Sequence, residues 1–169
     1  IIPEEDTKDV GKFYPDVSDA QYVFLIDDDV DYPEDYIAGM LGKFTALPEG
    51  RFLGGLHTSI YRKPRPELTI QQMRRYVRYH LFPRKIAAFR DVTSFVHDLD
   101  SPVYVDQVGT GAAVLCGRDM PPYAYMKGSQ KFVDVRLARW CFEQGIELVA
   151  LPRKSGWLRT EADENSIYL

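Results

Sequence analysis

Tyr22-Val23-Phe24-Leu25-Ile26-Asp27-Asp28-Asp29 is a run of large apolar side chains that stops abruptly in three carboxylates. The run is short, rich in β-branched and aromatic residues, and bounded by polar sequence. It reads as a buried strand. A buried strand ending in acids carries them to the carboxyl edge of a sheet, where ligands bind in open α/β folds. Alternation predicts Asp27 and Asp29 on one side of the extended chain and Asp28 on the other. Three adjacent anions repel one another. A divalent cation would relieve that repulsion, and Mg²⁺ or Mn²⁺ favours carboxylate oxygens combined with substrate phosphates. A solvated turn leading into a helix is the competing account. It covers Asp31, Glu34 and Asp35, which surround Pro33 at a helix start. It leaves unexplained the acids sitting directly on the strand end.

The chain has 169 residues, enough for one domain with a real core. An apolar fraction of 45% with 13% aromatics marks a globular sequence. The net charge of −4 gives no case for nucleic-acid binding. Charge is unevenly spread, with residues 1–35 acidic and 62–90 basic. Such asymmetry suits a metal site facing an anion-binding face. Cys116 and Cys141 are far apart in apolar surroundings without a CxxC motif. They are expected to be buried free thiols in a reducing compartment. No signal peptide is recognised, and no run of ~18 apolar residues. The start Ile1-Ile2-Pro3, without Met, suggests a piece of a longer protein.

Residues 1–20 read mostly as loop, and 21–27 as the strand. Residues 33–47 place Tyr36, Ile37, Met40, Leu41 and Phe44 on one helical face. A strand is predicted from Arg51 to Leu56, continuing towards Tyr61, with Gly54-Gly55 inside it. Arg62-Lys63-Pro64-Arg65-Pro66 is a stiff basic loop. A helix over Leu68–His80 carries a stripe of Ile70, Met73, Val77 and Leu81, and Pro83 breaks the pattern. Strands are predicted over Thr93–His97, Val103–Val108 and Ala112–Cys116. Residues 117–130 read as loop. A helix over Phe132–Gln144 is closed by Gly145, and a strand over Glu147–Leu151 is stopped by Pro152. The tail 153–169 has no clear period. Alternating strands and helices indicate an α/β fold.

Four features stand in order: the strand ending in Asp27-Asp28-Asp29, the turn Gly109-Thr110-Gly111 before a strand, a helix opening with Asp134, and a strand ending at Leu151-Pro152-Arg153. In that order they resemble the GT-A class of nucleotide-sugar glycosyltransferases, most closely glycosyltransferase family 2, over residues 21 to about 157. Asp27-x-Asp29 matches the class's DxD motif. Val108-Gly-Thr-Gly-Ala-Ala-Val-Leu-Cys-Gly-Arg118 is similar to its acceptor-side Gly-rich strand. Asp134 stands where the family has the last acid of its ED motif.

The resemblance implies a GT-A type mixed sheet with flanking helices, lacking the N-terminal nucleotide-binding strands, since 26 residues precede Asp27. It implies a DxD pair holding Mn²⁺ or Mg²⁺ on the donor diphosphate, with Asp29 as direct metal ligand and Asp27 on the ribose or the metal shell. Asp134 would be the general base for an acceptor hydroxyl, and a single displacement would invert the anomeric centre. The donor expected is a nucleotide sugar, a UDP-sugar foremost. The acceptor would be a sugar or glycan in polysaccharide or glycoconjugate synthesis, on the cytoplasmic side where nucleotide sugars are made. Two departures stand out. Val133 replaces the usual acid before Asp134, and Arg153–Arg159 contains no His to serve as a further metal ligand.

Asp28, His57, Gly109, Thr110, Gly111 and Trp157 complete the candidate donor site. His57 could contact the diphosphate or acceptor, or be a hydrogen-bonded structural residue. The glycines could admit a sugar close to the backbone, or form a tight turn. Trp157 could stack on a sugar, or pack in the core. Asp134 could equally be a first-turn acid favoured by the helix dipole. The basic stretch 74–90, with Arg74, Arg75, Arg78, Arg84, Lys85 and Arg90 among aromatic residues, is a solvated helix face or a contact with a membrane surface, an anionic polysaccharide or a partner domain. Two other functions remain open. One is a haloacid-dehalogenase-type phosphatase, which also begins with an apolar strand and Asp-x-Asp but expects Thr or Val where Asp31 stands. The other is a non-catalytic metal- or carbohydrate-binding module.

Overall fold

The strand that ends in the acids is β1, Val23–Ile26, and it lies at one edge of a five-stranded mixed sheet. The computed structural model describes residues 7–62, 69–82 and 90–160. The sheet order is β1, β8 (Ala112–Leu115), β3 (Phe52–Gly55), β9 (Glu147–Ala150) and β6 (Val103–Tyr104). β8 runs antiparallel to both β1 and β3, β3 and β9 are parallel, and β6 is antiparallel to β9. The molecule is thus a mixed α/β fold.

Strand β8 shows why the sheet is covered on both faces. All its residues are buried, and they alternate between two cores. Ala113 and Leu115 join Leu25, Leu53, Met126, Leu137 and Cys141 on one face. Ala112 and Val114 join Met40, Phe44, Phe52, Val149 and Leu151 on the other. This is the period-2 geometry of a central strand. Each fully buried Leu, Val or Met contributes roughly 1.5–3 kcal/mol of transfer free energy. Helix α1 (Tyr36–Thr45) covers one face through Tyr36, Met40 and Phe44, while Ile37 of the predicted stripe is exposed. Helices α3 (Tyr123–Met126) and α4 (Val133–Gln144) cover the other through Met126, Val133, Leu137 and Cys141. Gly145 ends α4 at φ 65°, its N–H reaching the carbonyls of the last turn, as the sequence predicted. Cys116 and Cys141 are free thiols, Cys141 fully buried and Cys116 partly so.

Several expectations are corrected. Residues 1–20 include a 3₁₀ helix, Lys8–Phe13, whose Val10 and Phe13 enter the core. The segment 117–130 is not merely loop, since it holds a 3₁₀ turn, Gly117–Asp119, and α3. The strand predicted from Arg51 towards Tyr61 is two strands in two sheets. β3 stays in the main sheet, and β4 (Thr58–Tyr61) pairs with β5 (Arg90–Thr93) and β7 (Gln107–Val108) in a three-stranded sheet. The chain leaves the main sheet at Leu56–His57, where Leu56 N–H bonds Ala112 O at 3.0 Å and Gly109 N–H bonds His57 O at 2.7 Å. The predicted Val103–Val108 strand is likewise split between sheets as β6 and β7. β5 ends where the Thr93–His97 strand was expected to begin. A two-residue ribbon joins β2 (Val30–Asp31) to β10 (Arg159–Thr160), giving order to the start of the unpatterned tail. The stiff loop after Arg62, the break at Pro83, and Arg84 and Lys85 lie outside the described residues. Among the described residues no helix is long and apolar enough to cross a membrane.

Gly55 of β3 faces Val108 so closely that a Cβ would overlap its Cγ1, with Ala112 O 3.2 Å away. Gly42 in α1 has open space around it. Gly55→Ala is therefore expected to destabilise the fold by about 1–3 kcal/mol. Gly42→Ala is expected to stabilise it by up to about 1 kcal/mol. Urea unfolding midpoints of the two variants check both signs.

Candidate active site

The sheet register gathers four chain segments at one edge. Ile26 pairs with Ala112, while Gly55 pairs with both Ala113 and Ala150. The carboxyl ends of β1, β3 and β9 therefore meet the start of antiparallel β8. Asp27 follows β1, His57 follows β3, and Gly109-Thr110-Gly111 precedes β8. The first turn of α4 supplies Asp134. Asp27, Asp29, His57, Gly109, Thr110, Gly111 and Asp134 line one cleft of about 50 Å³, with Val30, Phe95 and Ala112 forming its apolar wall.

The Gly109–Gly111 turn holds the site together through its backbone. Thr110 N–H donates to Asp134 Oδ1 at 3.0 Å. The Thr110 carbonyl accepts from Lys12 Nζ at 3.2 Å. The Gly111 carbonyl accepts a short bond from the Tyr32 hydroxyl, which in turn accepts from Asp27 N–H at 2.9 Å. Lys12 also forms an ion pair with Asp27. A Cβ at Gly111 would overlap the Asp27 carboxylate, so any other residue there would displace that carboxylate from the turn.

Electrostatics follow from this packing. Burial holds the His57 imidazole below its ordinary pKa. Asp134 and Asp27 act against that shift, and Arg90 and Arg153 act with it. His57 is consequently neutral at pH 7 and can both donate and accept a hydrogen bond. Burial pushes the Tyr32 hydroxyl up to about 12, and the Asp27, Asp28 and Asp29 charges add to the rise against the bond from Asp27 N–H. Tyr32 therefore stays protonated as donor to Gly111.

Two candidate residues stand apart. Asp28 is exposed at the turn and does not line the cleft. The separation arises from a turn and not from the predicted strand alternation, since β1 ends at Ile26 and Asp28 and Asp29 lie in a turn. Trp157 packs against Tyr36, donates Nε1–H to Asp35 at 3.1 Å, and has the Lys43 ammonium 3.3 Å from its ring centroid. One ring face is thus occupied by a cation, and the indole lies away from the acids. Arg153, which follows β9 at the same edge, is buried and gives its guanidinium N–H groups to Ser94 O and Leu151 O.

Three residues escaped the sequence reading: Phe95, which lines the cleft, and Lys12 and Tyr32, which hold its acid and its turn from behind. Lys12 lay in a segment taken for loop, and the apolar pair Val10 and Phe13 that anchors it was the available signal. Tyr32 and Phe95 gave no local sign, since their positions depend on distant segments. Among the described residues, no cluster of three or more His, Cys, Asp or Glu side chains could hold a metal ion. Among the described residues, the cleft offers the two carboxylates of Asp27 and Asp29 as neighbouring donors, with Asp27 shared by Lys12. That donor set fits a Mg²⁺ or Mn²⁺ ion that takes its remaining ligands from phosphate and water. No protein-family model matches the chain, and no curated protein is similar to it.

Two outcomes are expected. Unfolding transfers His57 from a site where its pKa is lowered to one near 6.5. The unfolded chain then binds more protons below about pH 6.5, so the His57 contribution to stability falls as pH drops through that range. His57→Gln should flatten this part of the stability–pH curve, read from urea midpoints between pH 5 and 7. Tyr32→Phe removes the hydroxyl that joins Gly111 O and Asp27 N, and should cost about 1–3 kcal/mol by the same measurement.

Proposed function

We propose that the chain is the catalytic part of a metal-dependent, GT-A type nucleotide-sugar glycosyltransferase. The observation that supports this reading is the meeting of Asp27, Asp29 and Asp134 in one cleft, although 105–107 residues of sequence separate Asp134 from the pair. The mixed sheet with its acids at the carboxyl edge is compatible with that fold class.

Asp27 and Asp29 would hold Mn²⁺ or Mg²⁺ at the donor diphosphate. When bound, the ion supplies a fixed positive charge that stabilises the leaving nucleotide. The acceptor hydroxyl would lie against Asp134. Oδ1 of Asp134 is held by Thr110 N–H, which fixes the carboxylate in the cleft. Oδ2 takes the hydroxyl proton as the acceptor oxygen bonds to the anomeric carbon and the bond from that carbon to the diphosphate oxygen breaks. A single displacement inverts that centre. Neutral His57 hydrogen-bonds the acceptor or a phosphate oxygen. Phe95 and Val30 offer an apolar wall to a sugar face. Lys12 neutralises Asp27 and lies where it can also meet a phosphate. The donor class is a UDP-sugar, the acceptor a sugar or glycan, and the setting cytoplasmic.

Calorimetric titration with UDP and UDP-sugars, with and without Mn²⁺, tests the reading. Wild type should bind only with metal, and Asp29→Ala should lose that binding. Asp134→Asn should keep it and lower sugar transfer by 10²-fold or more, as expected for a general base. Metal-independent binding, or hydrolysis of a generic phosphomonoester that needs Asp27, would instead favour the phosphatase reading. Binding without turnover, unchanged in Asp134→Asn, would leave a carbohydrate-binding module.

A further inference from the structure

Helix α2, Ile70–Leu81, lies between β4 and β5, so it sits beyond the end of the ribbon those strands form. Among the described helices α1, α2 and α4 it has the strongest two-sided pattern, yet none of its residues is buried. Its apolar stripe faces solvent. Ile70 is 74% exposed, Met73 46%, Val77 45% and Leu81 66%, and Phe82 just beyond is 57% exposed. Its half-buried residues are Gln72, Tyr76 and Tyr79. At 3.6 residues per turn these three lie largely opposite the stripe. The helix therefore turns its apolar side outward.

An isolated helix of this length is marginal in water, and an outward apolar stripe adds no stability to the free chain. The charges beside the stripe indicate what covers it. The helix contains Arg74, Arg75, Arg78 and His80 and no Asp or Glu, although the whole chain carries a net charge of −4. Arg74 and Arg78 border the stripe on one side, Tyr76 and His80 on the other. An apolar strip bordered by Arg, with Tyr beside it, matches an interface in which aliphatic side chains enter the acyl boundary and guanidinium groups stay with phosphates. The acidic remainder of the chain would be repelled from the same surface, which leaves α2 as the docking edge.

We infer that α2 binds the surface of an anionic phospholipid bilayer, lying in the interface plane with Ile70, Met73, Val77 and Leu81 inserted and Arg74 and Arg78 at the headgroups, with Arg75 adding its charge from the far side. Four apolar side chains and three arginines give reversible binding, not a permanent anchor. The inference does not depend on the transferase reading, because it needs neither nucleotide nor metal.

Co-sedimentation with vesicles tests it. The protein should pellet with equal parts phosphatidylcholine and phosphatidylglycerol, stay in solution with phosphatidylcholine alone, and be released by salt. Arg74→Glu/Arg75→Glu/Arg78→Glu should weaken binding on the order of 100-fold. Met73→Ser/Val77→Ser should abolish pelleting while leaving the melting temperature unchanged, since both side chains are already exposed. Three results would overturn the inference. They are no binding to anionic vesicles, binding that neither variant changes, or a wild-type dimer that Met73→Ser/Val77→Ser converts to monomer without any vesicle binding. The last would assign the stripe to a second copy of the chain.

Discussion

The site depends on the close approach of two peptide segments, Gly109–Gly111 and the acids after β1. The absence of a side chain at Gly111 lets the Asp27 carboxylate rest against the turn. Once they touch, four backbone groups of the turn have partners from elsewhere: His57 O, the Asp134 carboxylate, the Lys12 ammonium and the Tyr32 hydroxyl. Buried backbone donors and acceptors are costly when unpaired, so the turn can be buried only if all these elements arrive together. Lys12 counters part of the charge that would otherwise oppose placing Asp27 beside Asp29 and Asp134. Stability and chemistry are therefore linked here. The contacts that bury the turn are the same ones that orient the two proposed functional acids.

The two sheets divide the labour. The main sheet, covered on both faces, supplies a rigid edge. The three-stranded sheet branches from it at Leu56–His57 and carries the opposite wall of the cleft, with His57 entering β4 and Phe95 just after β5. α2 is inserted within that smaller sheet, away from both cores, and no core face is left for its stripe. A stripe that sequence periodicity alone would assign to a core is thus displayed outward.

Much of the architecture was legible because it is local. β1, β8, β9, α1 and α4 follow from apolar runs, helical spacing and the Gly145 cap, and each lies close to its predicted bounds. The errors have shared causes. Short 3₁₀ segments such as Lys8–Phe13 carry too few apolar residues to show a period. Strand breaks at Leu56–His57 and between Tyr104 and Gln107 leave no local mark, since they reflect a change of pairing partner and not of propensity. Trp157 looked available for stacking because its neighbours Asp35 and Lys43 come from more than a hundred residues away.

The sequence by itself determined the strand that ends in acids, the Gly–Thr–Gly turn, the acid at the start of α4, and the mixed α/β class. Periodicity, helix caps and turn chemistry act over a few residues and can be read there. Only the tertiary structure decided that Asp27, Asp29, His57 and Asp134 share one cleft, that Lys12 and Tyr32 brace its acid and turn, that Asp28 and Trp157 do not line it, and that the α2 stripe faces outward. Those outcomes rest on strand register and on which face of each element finds a partner. Both are settled by contacts between segments far apart in the chain.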